Sequence, residues 1–398
     1  MDIDPASSRL DIPAPGAPKA RLPRRDFLIL PLLGILTALT LTVGTETAAR
    51  HFFFEIDADS CRIQDANIGF VYRAACISHV KSLAGPLVTN QFNECGFRSK
   101  ESCGPKPAGT VRIALLGSST SEGFFVAYDQ AYATRVAADL TQEFGRPVEV
   151  QNLSVQECYP ICEFHRLHEA LALKPDLLLL GVSPFDIEHL DPSELPNRYK
   201  PMPVTHTSSS ANKTVGPLER LVKLGKESTT RIVFEHLLFQ DTPTYLRIYL
   251  HHGDPADYLR PPFSPAWESR LNAFEVLLSE ISEESRAANV PFVLIEIPTM
   301  AQASLASTQN LPAGIDPYAI NRRLSEICSR HGIQFISGLD GFQGISAPSR
   351  FFTVEDGHLN AAGHAMIGRA VVEQLTKEQK PVLSGRIEPR PNSTGGTF

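Results

Sequence analysis

Five short runs that read as strands, each leading into a stretch whose apolar residues recur at helical spacing, constrain the fold of this chain more than any other feature. The runs cover residues 111–116, 148–152, 177–182, 292–297 and 334–337. Runs of that length bounded by turn residues read as strands buried in a sheet. The intervening spacing predicts helices over 130–144, 164–173, 265–288, 318–331 and 361–376. Strand and helix in strict alternation imply a three-layer α/β/α domain, with a mostly parallel five-stranded sheet doubly wound by helices on both faces.

The amino-terminal region obeys a different rule. Residues 27–45 (FLILPLLGILTALTLTVGT) carry no charge, close to the roughly 20 residues a helix needs to cross a bilayer. Lys19, Arg21, Arg24 and Arg25 precede them, so the positive-inside rule leaves the start of the chain in the cytoplasm and exports the rest. Small residues at Thr47, Ala48 and Ala49 admit a cleaved signal peptide, but the long leader favours a retained anchor in the inner membrane. The expected organisation is a cytoplasmic segment (1–25), a transmembrane helix (26–45), a stalk and disulfide-stapled cap (46–110), the α/β domain (111–376) and a flexible tail (377–398).

Seven cysteines suit an exported, periplasmic domain. Cys61–Cys76 and Cys95–Cys103 are the simplest pairings. Cys158 and Cys162 can close a loop but fit poorly inside a regular helix, and Cys328 reads as a small buried hydrophobe. The formal charge of −7 argues against a nucleic-acid partner. The chain contains no Cys-x-x-Cys, His-Glu-x-x-His or Gly-x-x-x-x-Gly-Lys stretch, so no metal or nucleotide cofactor is expected.

Two segments far apart carry chemistry. GSSTSEG, from Gly117 to Gly123, follows the first apolar run and puts Ser119 at the carboxyl edge of the sheet, where open α/β sheets hold their ligands. A serine hydroxyl needs a base near neutral pH. DGHLNAAGH, from Asp356 to His364, offers His358 for that task. Asp356 is suited to orient the imidazole and stabilise its charged form, and Glu355 offers the same role. Either segment alone is more often an ordinary small-residue or solvated turn. Their combination beside the expected strand and helix favours catalysis.

These two segments resemble the SGNH/GDSL hydrolase superfamily over roughly residues 93–375. The resemblance implies a flavodoxin-like sheet and a Ser119, His358, Asp356 set that hydrolyses or transfers esters. NECGFR (Asn93 to Arg98) and the Pro-Ala-Gly-Thr-Val-Arg entry to the first strand are similar to membrane-anchored members. In the resemblance, Ser118 replaces the aspartate of Gly-Asp-Ser, and the second block VEVQNLSVQECY has Ser154 where glycine is usual. The third block, LLLLGVSPFD, has Phe185 where an asparagine would donate to the oxyanion. Phenylalanine has no such donor, and losing one costs about 3 kcal/mol. The implied oxyanion site then rests on backbone N–H groups of Ser119 and Ser154, with the Ser183 region standing in for the asparagine.

An insertion at about 188–262 is too long for an ordinary loop. It contains a helical pattern at 231–239 followed by Tyr245, Tyr249, His251, His252 and Tyr258. It reads equally as a lid shaping a substrate groove and as a surface subdomain with its own small core. His251, His252, His165 and His168 are expected to face solvent. The expected function is a membrane-anchored, exported serine esterase or O-acyltransferase acting on an acylated envelope glycan, with acetyl the expected group. The alternative is a catalytically impaired glycan-binding or assembly subunit on the same fold. A lipase or thioesterase would need a long apolar channel under the insertion.

Overall fold

A computed structural model describes residues 25–53, 60–83, 85–200, 228–308, 310–354 and 357–377. The uncharged segment lies in a long helix, α1 (Asp26–Phe52), which runs seven residues beyond the expected end at residue 45. The charge at Glu46 ends the apolar run, but neither glycine nor proline follows to end the helix. Two antiparallel hairpins come next, β1 (Arg62–Asp65) with β2 (Gly69–Tyr72) and β3 (Ile77–Val80) with β4 (Val88–Gln91). Disulfides join Cys61 to Cys76 and Cys95 to Cys103 across this cap.

The main sheet comprises β5 (Val111–Gly117), β6 (Val148–Asn152), β7 (Leu177–Val182), β8 (Phe292–Glu296) and β9 (Gln334–Ser337). All four of its pairings are parallel, in the order β6-β5-β7-β8-β9. Counted from its own first strand this is 2-1-3-4-5, the flavodoxin-like order. Its direction reverses between β5 and β7, and ligands of such sheets bind at the carboxyl ends beside that switch point.

The helices are α2 (Ser119–Glu122), α3 (Tyr132–Phe144), α4 (Pro160–His165), α5 (Leu167–Ala172) and α6 (Pro184–Glu188). The insertion supplies α7 (Thr229–Phe239) and α8 (Thr242–Tyr249). The fold closes with α9 (Pro265–Ala287), α10 (Met300–Ala306), α11 (Ala319–His331) and α12 (Ala361–Lys377). The single helix expected over 164–173 is two helices. Pro160 starts the first early, and the backbone turns at Arg166, whose buried guanidinium reaches the Leu153 carbonyl and Glu169.

Alternate strand residues feed two cores, as a period of two requires. Ala114, Leu116, Leu178, Leu180 and Leu294 pack with Trp267, Leu271 and Phe274 of α9 and Leu324 and Ile327 of α11. Ile113, Leu115, Leu177, Leu179 and Val293 pack with Val136 and Leu140 of α3 and Ile367 and Val371 of α12. The sheet is therefore covered on both faces, which explains why β5, β7 and β8 read as nearly unbroken apolar runs. Cys328 is buried and unpaired, with burial pushing its thiol up to about 12.

Candidate active site

The first strand of the sheet ends at Gly117, and close packing dictates the glycine. A Cβ there would lie 2.5 Å from the Ser121 side chain and 2.8 Å from the Gly181 carbonyl. Ser118 is extended, and Ser119 opens α2. The first backbone N–H groups of a helix have no acceptor within it. Gly123 ends this turn of helix in the left-handed conformation and donates its N–H to the Ser119 carbonyl.

The turn is clamped from behind. Arg98, the last residue of NECGFR, is buried and donates to the carbonyls of Glu122, Gly123 and Val126, each at 2.6 Å. Asn152 at the end of β6 donates its side-chain amide to the Ser121 carbonyl at 3.0 Å. Tyr72 of the cap donates to the buried Glu122 carboxylate at 2.7 Å. Tyr132 donates to Ser121 Oγ at 2.9 Å, and the Ser121 hydroxyl donates to the Gly181 carbonyl at 3.2 Å.

His358 lies in the loop before the last helix. Leu359 beside it is buried, and Asn360 caps α12 by accepting the N–H groups of Ala362 and Gly363 at 2.9 and 3.2 Å. Thr353 holds the loop by donating its N–H to the His358 carbonyl at 2.7 Å and its hydroxyl at 3.1 Å. Phe125 meets the imidazole edge to face, with ring centroids 5.4 Å apart. These contacts bring His358 Nε2 to 2.8 Å from Ser119 Oγ, across 239 positions of sequence. Asp356 and Glu355, the candidates for orienting the imidazole, lie outside the described residues.

The remaining expected positions divide. Ser154 is buried, and its backbone N–H is directed to Asn152 Oδ1 at 3.1 Å, so it is committed away from an oxyanion over Ser119. Ser183 stays at the site, but it caps α6 by accepting the Asp186 N–H at 3.3 Å, and it donates its own N–H and hydroxyl to the Asp186 carboxylate at 2.7 and 2.9 Å. Burial raises the Asp186 carboxyl above its ordinary value, against those bonds and one from the Ser118 side chain. Glu163 beside it is raised further by burial and by the Asp186 charge.

A cavity of about 150 Å³ lies over the pair, lined by Ser119, Thr120, Ser183, Phe185, Thr299 and His358, with Tyr245 and Tyr249 of α8 as one wall. The insertion therefore contributes to the site itself. Tyr249 and Tyr258 meet at 3.2 Å between hydroxyls, and Tyr258 meets Thr299 Oγ1 at 2.6 Å, tying that wall to the main core. A larger cavity of about 660 Å³ opens between α8 and α10, lined by Leu246, Leu250 and Leu305, and holds neither reacting group. Phe185 is half exposed at the cavity edge and packs on His189, which stacks on Tyr159 with centroids 4.6 Å apart. Tyr159 and His189 escape a sequence reading because Tyr159 precedes α4 and His189 ends α6, 30 positions further along the chain. His251, His252 and His168 are exposed, and His165 is half-buried. Among the described residues no group of three His, Cys, Asp or Glu side chains is arranged to hold a metal ion.

No family model and no curated protein matches the chain. Among solved structures it is similar to TesA at 12% identity, over 69% of this chain and 98% of that one, with a TM-score of 0.36. It is similar to a lipase/acylhydrolase from Enterococcus faecalis at 12% identity, over 70% and 98% of the two chains, with a TM-score of 0.36. An acetylxylan esterase from Geobacillus stearothermophilus, solved as a catalytic mutant, matches at 12% identity over 66% and 93%, with a TM-score of 0.37. A 2-1-3-4-5 parallel sheet, a serine turn after its first strand and a histidine ahead of its last helix form the arrangement that the resemblance to SGNH/GDSL hydrolases implies.

Proposed function

We propose that this chain is a serine esterase or O-acyltransferase that acts on an acylated envelope glycan from a membrane-anchored, exported position. The observation that carries the reading is the 2.8 Å contact between Ser119 Oγ and His358 Nε2, within reach for proton transfer. Ser119 attacks the acyl carbonyl while His358 takes its proton. His358 then returns the proton to the departing sugar oxygen, leaving the acyl group on Ser119. Water or a second sugar hydroxyl releases it by the same steps in reverse. Asp356 is the proposed orienting carboxylate. The oxyanion falls to the N–H groups of Ser119 and Thr120 at the start of α2, both residues on the cavity wall.

A short acyl group is supported by the size of the cavity, about 150 Å³, roughly the volume that holds one benzene molecule. A glycan leaving group is supported by the cluster of exposed Phe185 and His189 with half-buried Tyr159 at the edge, since aromatic faces suit the apolar faces of sugar rings. Anchoring is supported by α1, whose residues 27–52 are long and apolar enough to span a bilayer. The same Phe185 favours the second reading, a glycan-binding subunit with impaired catalysis, because it presents a ring where a donor would serve chemistry.

The test is labelling of the full chain with a fluorophosphonate probe beside Ser119→Ala and His358→Ala, followed by acetate release from acetylated glycans. Labelling of the parent chain alone is the expected result. A folded parent chain that neither labels nor releases acetate, yet binds the glycans, would establish the second reading.

A further inference from the structure

The helix α7 has an unusual surface. None of its eleven residues is fully buried, and its most outward apolar side chains, Phe234 and Leu237, are 65% and 59% exposed. They stand three positions apart and so share a face. A short helix that turns Phe and Leu outward needs a cover other than water.

The place where α7 begins indicates that cover. The Glu46 carboxylate on α1 accepts the N–H groups of Thr229 and Thr230, both at 3.0 Å, and the hydroxyls of Ser228 and Thr230 at 2.7 and 2.8 Å. Four bonds from the first turn fasten α7 to a single residue. Glu46 is also the first charged residue after the uncharged run 27–45, and Ala49, one turn further along α1, is buried. The contact thus sits just beyond the segment that would cross a bilayer.

We propose that α7 is a membrane-surface helix, docked by Glu46 where α1 leaves the bilayer, with Phe234 and Leu237 entering the boundary between headgroups and acyl chains. Helices of this kind lie in the interfacial plane with their apolar side chains sunk a few ångströms. Two residues separate α7 from α8, and Phe239 packs edge to face against Tyr245, with centroids 5.5 Å apart. Tyr245 lines the cavity over Ser119, so one wall of that cavity is tied to the helix on the lipid. The inference rests on reading α1 as a membrane span and is independent of the ester chemistry.

The full chain, with Cys328→Ser to remove the unpaired thiol, is reconstituted in phosphatidylcholine/phosphatidylglycerol nanodiscs and carries a nitroxide at Leu36→Cys, Phe234→Cys or Ile63→Cys. Power saturation by oxygen and by a nickel chelate then ranks their depths. The expected order is Leu36 deepest, Phe234 intermediate and Ile63 in water, with Glu46→Ala raising nickel access at Phe234 several-fold. A Phe234 label as open to nickel as Ile63, with Leu36 still protected, overturns the inference and leaves the span standing. Nickel access at Leu36 as well overturns both. Dipolar broadening at Phe234 that disappears on dilution with unlabelled chain assigns the face to a second copy and likewise overturns it.

Discussion

The two halves of the candidate site are built differently. Ser119 emerges from a turn whose neighbours Ser118, Ser121 and Glu122 are buried and held by Arg98, Asn152, Tyr72 and Tyr132. His358 sits in a loop secured by backbone bonds to Thr353, the flanking Leu359 and Asn360, and one aromatic contact. The serine turn is thus part of the core, whereas the histidine loop rests on it. Perturbing the first half should therefore register mainly in stability, and perturbing the second mainly in rate.

The largest expected effect falls on the histidine half. His358→Ala should lower ester turnover by about a thousandfold or more while leaving the thermal midpoint nearly unchanged, as read by acetate release and calorimetry. A large fall in midpoint would erase the contrast between the halves. On the serine half, Arg98→Ala leaves three buried carbonyls without their shared donor and should cost about 3 kcal/mol of stability. Thr353→Ala should cost about 1 kcal/mol or less but slow turnover about tenfold, because Thr353 helps fix the loop that carries His358. Equal stability losses in Arg98→Ala and Thr353→Ala, measured by denaturant titration, would refute the distinction.

The smallest effect concerns a residue that joins the halves. His364 of α12 accepts the Tyr132 N–H at 3.3 Å on Nδ1, which requires a neutral ring nitrogen. Burial, with help from the nearby Arg98, lowers its pKa from 6.5 to about 3. The unfolded chain therefore binds a proton that the folded chain refuses throughout this window. The stability contributed by His364 is complete above pH 6.5 and is lost as pH falls toward 3. His364→Gln should lose fewer degrees of thermal midpoint than the parent chain between pH 6.5 and 4.

How much of this was legible depends on whether a feature is local. Residues 148–152, 177–182 and 334–337 form strands with the expected bounds, and burial on both faces writes 177–182 directly into the chain as an apolar run. The serine and histidine segments were readable as residue types beside the right elements. Their meeting was a matter of topology, which the alternation of strand and helix already implied. The cap hairpins were not readable, since four-residue strands at β1 to β4 carry too little pattern to outweigh their turns. Nor was the fate of Ser154, whose N–H turns to Asn152 through a side-chain bond two residues away. The cluster of Phe185, His189 and Tyr159 arises only when the turns after β6 and β7 converge at the sheet edge.

The bond from Tyr72 to Glu122 and the clamp from Arg98 bear on how the protein can be dissected. A fragment cut at Val111 would retain every strand of the main sheet and still strand a buried carboxylate without its tyrosine. It would also remove the guanidinium beneath the Ser119 turn. The minimal working piece therefore starts ahead of Cys61, and the two cap disulfides belong to it. Expression in a reducing cytoplasm would then impair the protein through a region that holds neither Ser119 nor His358.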